Sequence, residues 1–438
     1  MGRHGLWELR WSLLPSDYQS PVFASGSSIM GRQDSQDVES NQESSAWRDW
    51  AAVFLWSVLG YLCLIVTVVG YFNPTLLPID PTALVFNRNI SPFFAFSQKS
   101  GYFPKPHGVK IVALVPFHYH ERTEILDCYL QKNLVRNHGF LDQVVFIPQT
   151  ADPVSLEWLY SLIKQTPEYA ISPPGYNMEW RIAKDNVMYI RIDGDVVFLE
   201  NHTIPTIVKT KLDNPDSLMV SANVVNEAAL ASLHSHPGVA LPYLPELQHI
   251  EQPSRSKSQL SHDWRASSLP QWHGPATFKV QKGFRPPFQG HRWLLPAEAG
   301  SDQDPIAGSI YTETGPSLQD WTVSAQQHYS FLHHLEANDL TRYKFPLWTD
   351  PTEPISQNFG CFWGDDAEAL GDIFDKPEEE DLRKSWSGLN GSRPHVVIDG
   401  KGLVSHYSAR LGPDGLDSTD LLDRYRAYAH ERVCLQTS

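Results

Sequence analysis

The chain has 438 residues and is 41% hydrophobic, enough for one large core or for two domains. Its 50 Asp and Glu outnumber 35 Lys and Arg, giving a formal net charge of −15. That balance excludes nucleic acid as a partner, because phosphate backbones are held by basic surfaces. The cysteines are Cys63, Cys128, Cys361 and Cys434, without CxxC or zinc spacing, and they predict no disulfide framework. Cys63 sits in an apolar run, and the other three leave room for one bridge in an oxidising compartment.

Residues 1–49 are rich in Ser, Gln, Asp and Glu and have no periodicity, which predicts a disordered tail. Residues 50–72 form an uncharged, mostly apolar run long enough to cross a bilayer as a helix. Trp47, Trp50, Trp56, Tyr61 and Tyr71 include aromatic residues suited to anchor it at the membrane interface. The run begins too far into the chain, and is too long, for a secretory signal peptide. Arg32 and Arg48 precede it and Arg88 is the first basic residue after it, which orients the tail to the cytosol. Leu6 occupies the position where myristoylation requires Ser or Thr. Residues 73–107 read as a stem. Sequons at Asn89, Asn201 and Asn390 agree with a glycosylated, lumenal C-terminal part. Together these features predict a type II single-pass protein in Golgi or ER lipid.

From residue 108 strands and helices alternate. Val109–Val115 is a continuous apolar run of the kind buried on both faces of a sheet. Glu124–Asn137 has helical spacing, and 143–147 is a second buried strand. A helix follows at Pro153–Lys164, with Asp152 as N-cap and Pro153 in its first turn. Strands at 169–171, 187–192 and 218–222, with a helix at 203–213 between the last two, complete a parallel α/β pattern. Residues 225–317 carry many Pro, His, Trp and Gly and little periodicity, which marks a functional insertion. Helix returns at 319–337 and 416–431. Asp399-Gly400 between two apolar stretches predicts a hairpin over 395–408.

Parallel sheets bind ligands beyond the carboxyl ends of their strands. Asp193 and Asp195 stand at such an end, directly after VMYIRI. In extended chain, side chains two apart point the same way, so the pair can share a hard cation such as Mn²⁺ or Mg²⁺. The alternative is a turn capped by its own carboxylates. Asp302-Gln303-Asp304 repeats the triplet without a preceding strand and is given no role. His406 is a candidate third ligand, or a structural histidine. Asp365-Asp366 offers a general base, or an N-cap for the helix after it. Pro116, Phe117 and His118 follow the first strand and either pack on a nucleotide base or pack as an ordinary loop.

A first strand with a base-binding loop, two βα units, a strand ending in DxD and a late histidine resemble the GT-A class of nucleotide-sugar glycosyltransferases. The resemblance covers about residues 108–410. The pieces VMYIRIDGDVVFLENHTIP, SANVVN, FQGHRWLLP, AQQHYSFL and FGCFWGDD resemble a poorly characterised fungal type II membrane group of such proteins. The fold implied is a Rossmann-like α/β domain with a mixed, mostly parallel sheet flanked by helices. The resemblance implies Mn²⁺ (or Mg²⁺) held by Asp193, Asp195 and His406, with a nucleoside-diphosphate sugar as donor. It also implies an acidic base for inverting members, at Asp366 or Asp365. The acceptor is then a glycan, glycoprotein or glycolipid. The insertion forms its wall, with Trp264, Trp272, His291, Arg292 and Trp293 as candidate contacts.

Two rival readings follow from the same residues. IRIDGDVV with the later GDD also fits haloacid-dehalogenase phosphatases, in which Asp193 is the nucleophile. Against this, two βα units precede the DxD, and Val197 stands where Thr is commoner. The other rival is a membrane-tethered sugar-binding protein without catalysis.

Overall fold

The computed structural model describes residues 53–62, 64–65, 104–172, 183–235, 238–248, 263–275, 278–280, 283–296, 320–349, 355, 357–374, 395–407 and 415–435. The chain divides into two units, Met1–Asn89 and Ile90–Ser438. In the first, residues 53–62 and 64–65 are helical, with exposed side chains. The expected tail, the rest of the 50–72 run, most of the stem, and the sequons at Asn89 and Asn390 lie outside the described residues. Among the described residues no helix is long and apolar enough to cross a membrane.

The second unit opens with β1 (Ile111–Phe117) and α1 (His120–Asn133). Then come β2 (Gln143–Pro148), α2 (Pro153–Gln165), β3 (Tyr169–Ile171), β4 (Met188–Ile192), β5 (Val196–Leu199), α3 (Thr203–Asp213) and β6 (Met219–Val225). The insertion contributes α4 (Ala231–His234) and a two-stranded ribbon of β7 (Leu244–Pro245) and β8 (Trp293–Leu294). After it follow α5 (Trp321–Glu336), β9 (Trp348–Thr349), β10 (Phe359–Trp363), α6 (Ala367–Phe374), β11 (Val396–His406) and α7 (Leu421–Arg432). The Asp152 carboxylate accepts a hydrogen bond from Ser155 N at 2.8 Å, so α2 starts where its cap residue and Pro153 place it.

The strands form one sheet in the order β3-β2-β1-β4-β10-β6-β11-β5, with β9 also paired to β11. β1 to β4 are mutually parallel, as are β6 and β11. β10 runs antiparallel between β4 and β6, and β5 and β9 run antiparallel to β11. This is a mixed, mostly parallel sheet flanked by helices. All seven residues of β1 are buried. Ile111, Ala113 and Val115 join the core that holds α1, α3, α5 and α7, while Val112 and Leu114 join the one under α6. The continuous apolar run is therefore a two-sided strand.

The chain leaves β1 outward to β2 and β3, then returns to β4 on its other side. That reversal makes a switch point, where open α/β sheets form their ligand crevice beyond the strands' carboxyl ends.

The expected hairpin over 395–408 is not formed. Val396–Asp399 pair with Met219–Ala222, the register shifts, and Leu403–Ser405 continue in parallel along Asn223–Val225. β6 offers a parallel partner on both sides of the shift, so the Asp399-Gly400 signal makes a bulge instead of a reversal. Asn223 Nδ2 fixes the bulge by donating to Tyr343 O at 2.8 Å and Gly400 O at 3.0 Å.

Cys128 on α1 is bonded to Cys434 beyond α7, across 306 residues of chain, and Cys361 on β10 is a buried thiol. Cys128→Ser is expected to lower stability by about 2–5 kcal/mol, since the bridge restricts the unfolded chain. Thermal unfolding with and without a reductant checks this, and an unchanged Tm would contradict it.

Candidate metal and active site

β4 delivers Asp193 to the switch point. Asp193 N donates to Asn358 O at 2.9 Å, Asp195 N to Asp193 Oδ1 at 3.0 Å, and Val196 N to Asp193 O at 3.0 Å. Gly194 is required there, because a Cβ on it would lie 2.4 Å from the Pro116 carbonyl oxygen. The turn thus presses against the end of β1. From it β5 runs back and pairs with the end of β11, where His406 lies opposite Val196 and Tyr407 N donates to Asp195 O at 2.8 Å. This pairing brings together side chains about two hundred residues apart in sequence. Ligand atoms of Asp193, Asp195 and His406 all lie within 4.8 Å of one another. His406 Nε2 is 3.4 Å from Asp193 Oδ1.

The three groups polarise one another. Burial raises the Asp193 carboxyl, but the His406 contact and Arg191, 3.6 Å away, outweigh it and hold Asp193 well below the usual carboxylate range. For Asp195 burial prevails, and the neighbouring Asp193 charge adds to it; Arg122 opposes both, and the net shift is upward. Burial disfavours protonated His406, yet Asp193 and Asp195 outweigh it and raise its pKa. Two carboxylates and an imidazole in one buried corner suit a borderline or hard dication such as Mn²⁺.

Arg122 and Glu227 complete the charge pattern, and nothing in their sequence neighbourhoods marks them. Arg122 donates from Nη1 to Asp195 Oδ1 at 2.9 Å and from Nη2 to Asp417 at 3.0 and 3.2 Å. Its guanidinium lies over the Tyr119 and Tyr407 rings, 4.6 and 4.8 Å from their centroids. Glu227, just past β6, is 3% exposed and accepts a bond from Asn358 Nδ2 at 3.3 Å. Asn358 is also the residue whose carbonyl receives Asp193 N. Asn226 adopts a left-handed φ of 70° and its Nδ2 faces both His406 O at 3.2 Å and His328 Nε2 at 2.8 Å.

Burial holds His328 down to about 3 and His334 down to about 4. In the unfolded chain both take up protons below about pH 6.5. Their stabilising contribution is therefore full above that pH and is lost as pH falls toward their folded values. His406, raised, works in the opposite direction. Burial also lowers His202, His291 and His333, so with five lowered imidazoles against one raised, Tm is expected to fall by a few degrees from pH 7 to pH 5. His328→Gln should shrink that drop, and a pH-independent Tm would contradict the assignment.

Other expected site residues lie elsewhere. Asp365 and Asp366 form the turn that opens α6. Because β10 is antiparallel to β4, Trp363 pairs with Met188, at the far end of β4 from Asp193. Five residues of strand separate the two ends, roughly 16 Å at about 3.3 Å per residue. Asp366 pairs with the buried Lys211 at 3.2 Å, and Asp365 accepts from Asn186 N at 3.5 Å. Neither is brought to the metal-ligand group, so the base expected of them is corrected. The same geometry removes the phosphatase reading, which needs that acidic pair beside Asp193.

Pro116 touches the DxD turn through its carbonyl. Phe117 is fully buried and stacks on Trp158, with ring planes 4° apart, so it belongs to the core and not to a base-binding loop. His118 is half-buried and Tyr119 exposed at the crevice.

Four of the five expected acceptor contacts are buried, and Arg292 is half-buried. Trp264 is 5% exposed, bonds Glu431 at 2.9 Å and packs edge-on against Tyr428. Trp272 bonds Pro245 O at 3.2 Å. His291 and Trp293 are fully buried. Arg292 is paired with buried Glu246 at 2.6 Å. Among the described residues of this aromatic-rich segment, these tryptophans build core and not an open wall. Asn201 is exposed, and its Oδ1 accepts from Lys132 at 2.9 Å. Asp302 and Asp304 lie outside the described residues.

No family model and no curated protein matches the sequence. Among solved structures, similarity is found to glucosyl-3-phosphoglycerate synthase from Mycobacterium tuberculosis in complex with Mn²⁺, UDP and phosphoglyceric acid. The identity there is 20% and the TM-score 0.20, over 29% of this chain and 50% of that one. A mannosyltransferase from Pyrobaculum calidifontis in complex with GDP-Man and Mn²⁺ gives 18% identity and a TM-score of 0.23, over 36% of this chain and 50% of that one. A mycobacterial protein gives 11% identity and a TM-score of 0.27, over 75% of each chain. The chain thus spans half the length of the first two, and no family follows from overlays of this extent.

Proposed function

We propose that the chain is a metal-dependent glycosyltransferase of GT-A type. It moves a sugar from a nucleoside-diphosphate donor to a hydroxyl of a glycan, glycoprotein or glycolipid. The observation that carries this is the meeting of Asp193, Asp195 and His406 at the β1/β4 switch point. There the carboxylates of Asp193, Asp195, Asp417 and Glu227 outnumber the guanidiniums of Arg122 and Arg191, so the corner favours a cation and, through it, an anionic diphosphate.

Asp193, Asp195 and His406 hold the cation. Bound there, Mn²⁺ supplies Lewis-acid stabilisation of the charge that develops on the leaving diphosphate. His118 and Tyr119 border the crevice on the β1 side, where the nucleoside belongs. Glu227 is the carboxylate assigned to the acceptor. It takes the acceptor hydroxyl's proton while that oxygen bonds the anomeric carbon. The bond from that carbon to the diphosphate breaks, and its electron pair leaves on the diphosphate oxygen.

The reading extends to location. The apolar 50–72 run anchors the chain as a type II membrane protein, with the second unit in the Golgi or ER lumen. The Cys128–Cys434 bridge supports an oxidising compartment, and exposed Asn201 is an available sequon. Relation to the fungal type II group named above is part of the same reading. The test is to present full-length chain with a panel of UDP- and GDP-sugars and follow nucleotide release. Release that depends on Mn²⁺ supports the function; no metal-dependent release or binding of any nucleotide sugar overturns it.

A further inference from the structure

We infer that Arg122 is the positioning residue of the metal site, holding the Asp195 carboxylate in place and tying residues 415–420 to it. The inference rests on the metal reading above and adds a residue to it. The guanidinium has four neighbours. It lies over the rings of Tyr119 and Tyr407, and one amino group reaches Asp195 while the other reaches Asp417. A planar fork bonded to one carboxylate through Nη1 and to another through Nη2 has its in-plane orientation set, which a freely rotating ammonium lacks. Nη1 occupies Asp195 Oδ1, and a carboxylate keeps a second oxygen for a cation.

The four partners come from separate parts of the chain. Tyr119 and Arg122 belong to the β1–α1 junction, Asp195 to the DxD turn, Tyr407 to the end of β11, and Asp417 to a turn 295 residues from Arg122. Arg122 is therefore the joint through which the metal corner is built. A purely stabilising role explains the arrangement poorly. Arg122 and Asp195 are 6% and 5% exposed, and a buried ion pair adds little net stability compared with apolar residues of the same volume. Fixing the direction of a metal-binding carboxylate is what such a pair achieves and an apolar pair does not.

The test is the Mn²⁺ affinity of full-length chain in detergent micelles, read from the EPR signal of free Mn²⁺, for wild type, Arg122→Lys and Arg122→Ala. Arg122→Ala is expected to raise the Mn²⁺ Kd about ten- to a hundredfold, the usual effect of removing a group that orients a ligand. Arg122→Lys should recover part of that loss, while near-UV circular dichroism stays that of wild type. If both variants are folded and bind Mn²⁺ as wild type does, the inference is overturned and the metal site stands. Should Arg122→Ala fail to fold, Arg122→Lys decides alone: a raised Kd supports the role and an unchanged one refutes it. Wild-type chain that binds no Mn²⁺ overturns the metal reading itself.

Discussion

Asp195→Ala is expected to abolish metal-dependent nucleotide release, lowering kcat/KM by at least about 10³-fold. Losing a ligand removes several kcal/mol of charge stabilisation at the leaving diphosphate, and each 1.36 kcal/mol is about tenfold in rate. Asp195 is also the acceptor for Arg122, so its removal leaves that guanidinium buried against Asp417 alone. Some loss of stability accompanies the loss of activity for that reason. Asp195→Asn separates the two effects. The amide fills the same space but is a poor ligand for a hard cation, so it should fold and still fail to turn over. Nucleotide release measured across a Mn²⁺ titration checks both variants. Turnover by folded Asp195→Asn at the wild-type rate would contradict the metal site.

Glu227→Gln is the second large expected effect, a fall in kcat of about 10²–10⁴-fold with Mn²⁺ affinity retained. The side chain is held by Asn358 beside the Asp193 backbone, and its charge is felt at His406. The amide keeps the shape and the Asn358 contact but takes no proton. Asp366→Asn, at the opposite end of β4, is the comparison: it should leave turnover near wild type and lose only the pair with Lys211. Steady-state kinetics on the same donor distinguish them. A silent Glu227→Gln with an inactive Asp366→Asn would reverse the assignment.

The sequence carried the frame of the site unevenly, for physical reasons. Asp193 and Asp195 were legible because an apolar run long enough for a buried strand ends on them, and period and position are local properties. The βα units before them were legible for the same reason, down to the Asp152 cap. His406 was found by residue type, although the hairpin expected to carry it is a bulged parallel strand. An Asp-Gly pair permits a reversal but does not force one when a neighbouring strand keeps pairing on both sides.

Asp365 and Asp366 show what local pattern omits. Whether β10 runs parallel or antiparallel is decided by its neighbours, and its direction puts the acidic pair at the wrong end of the sheet. The same holds for the tryptophans of the insertion. Trp264 and Trp293 have the composition of a sugar-binding surface and the location of a core. Arg122, Asp417 and Glu227 carried no signal at all, because their roles arise only where β1, β6 and the end of β11 converge.

The most direct measurement is anomalous diffraction at the manganese edge from crystals of the chain grown with Mn²⁺ and UDP or GDP. One strong peak within bonding distance of Asp193, Asp195 and His406, with the diphosphate on its open side, is the predicted result. Well-ordered crystals that show bound nucleotide away from this corner, and no metal between these three side chains, would contradict the account.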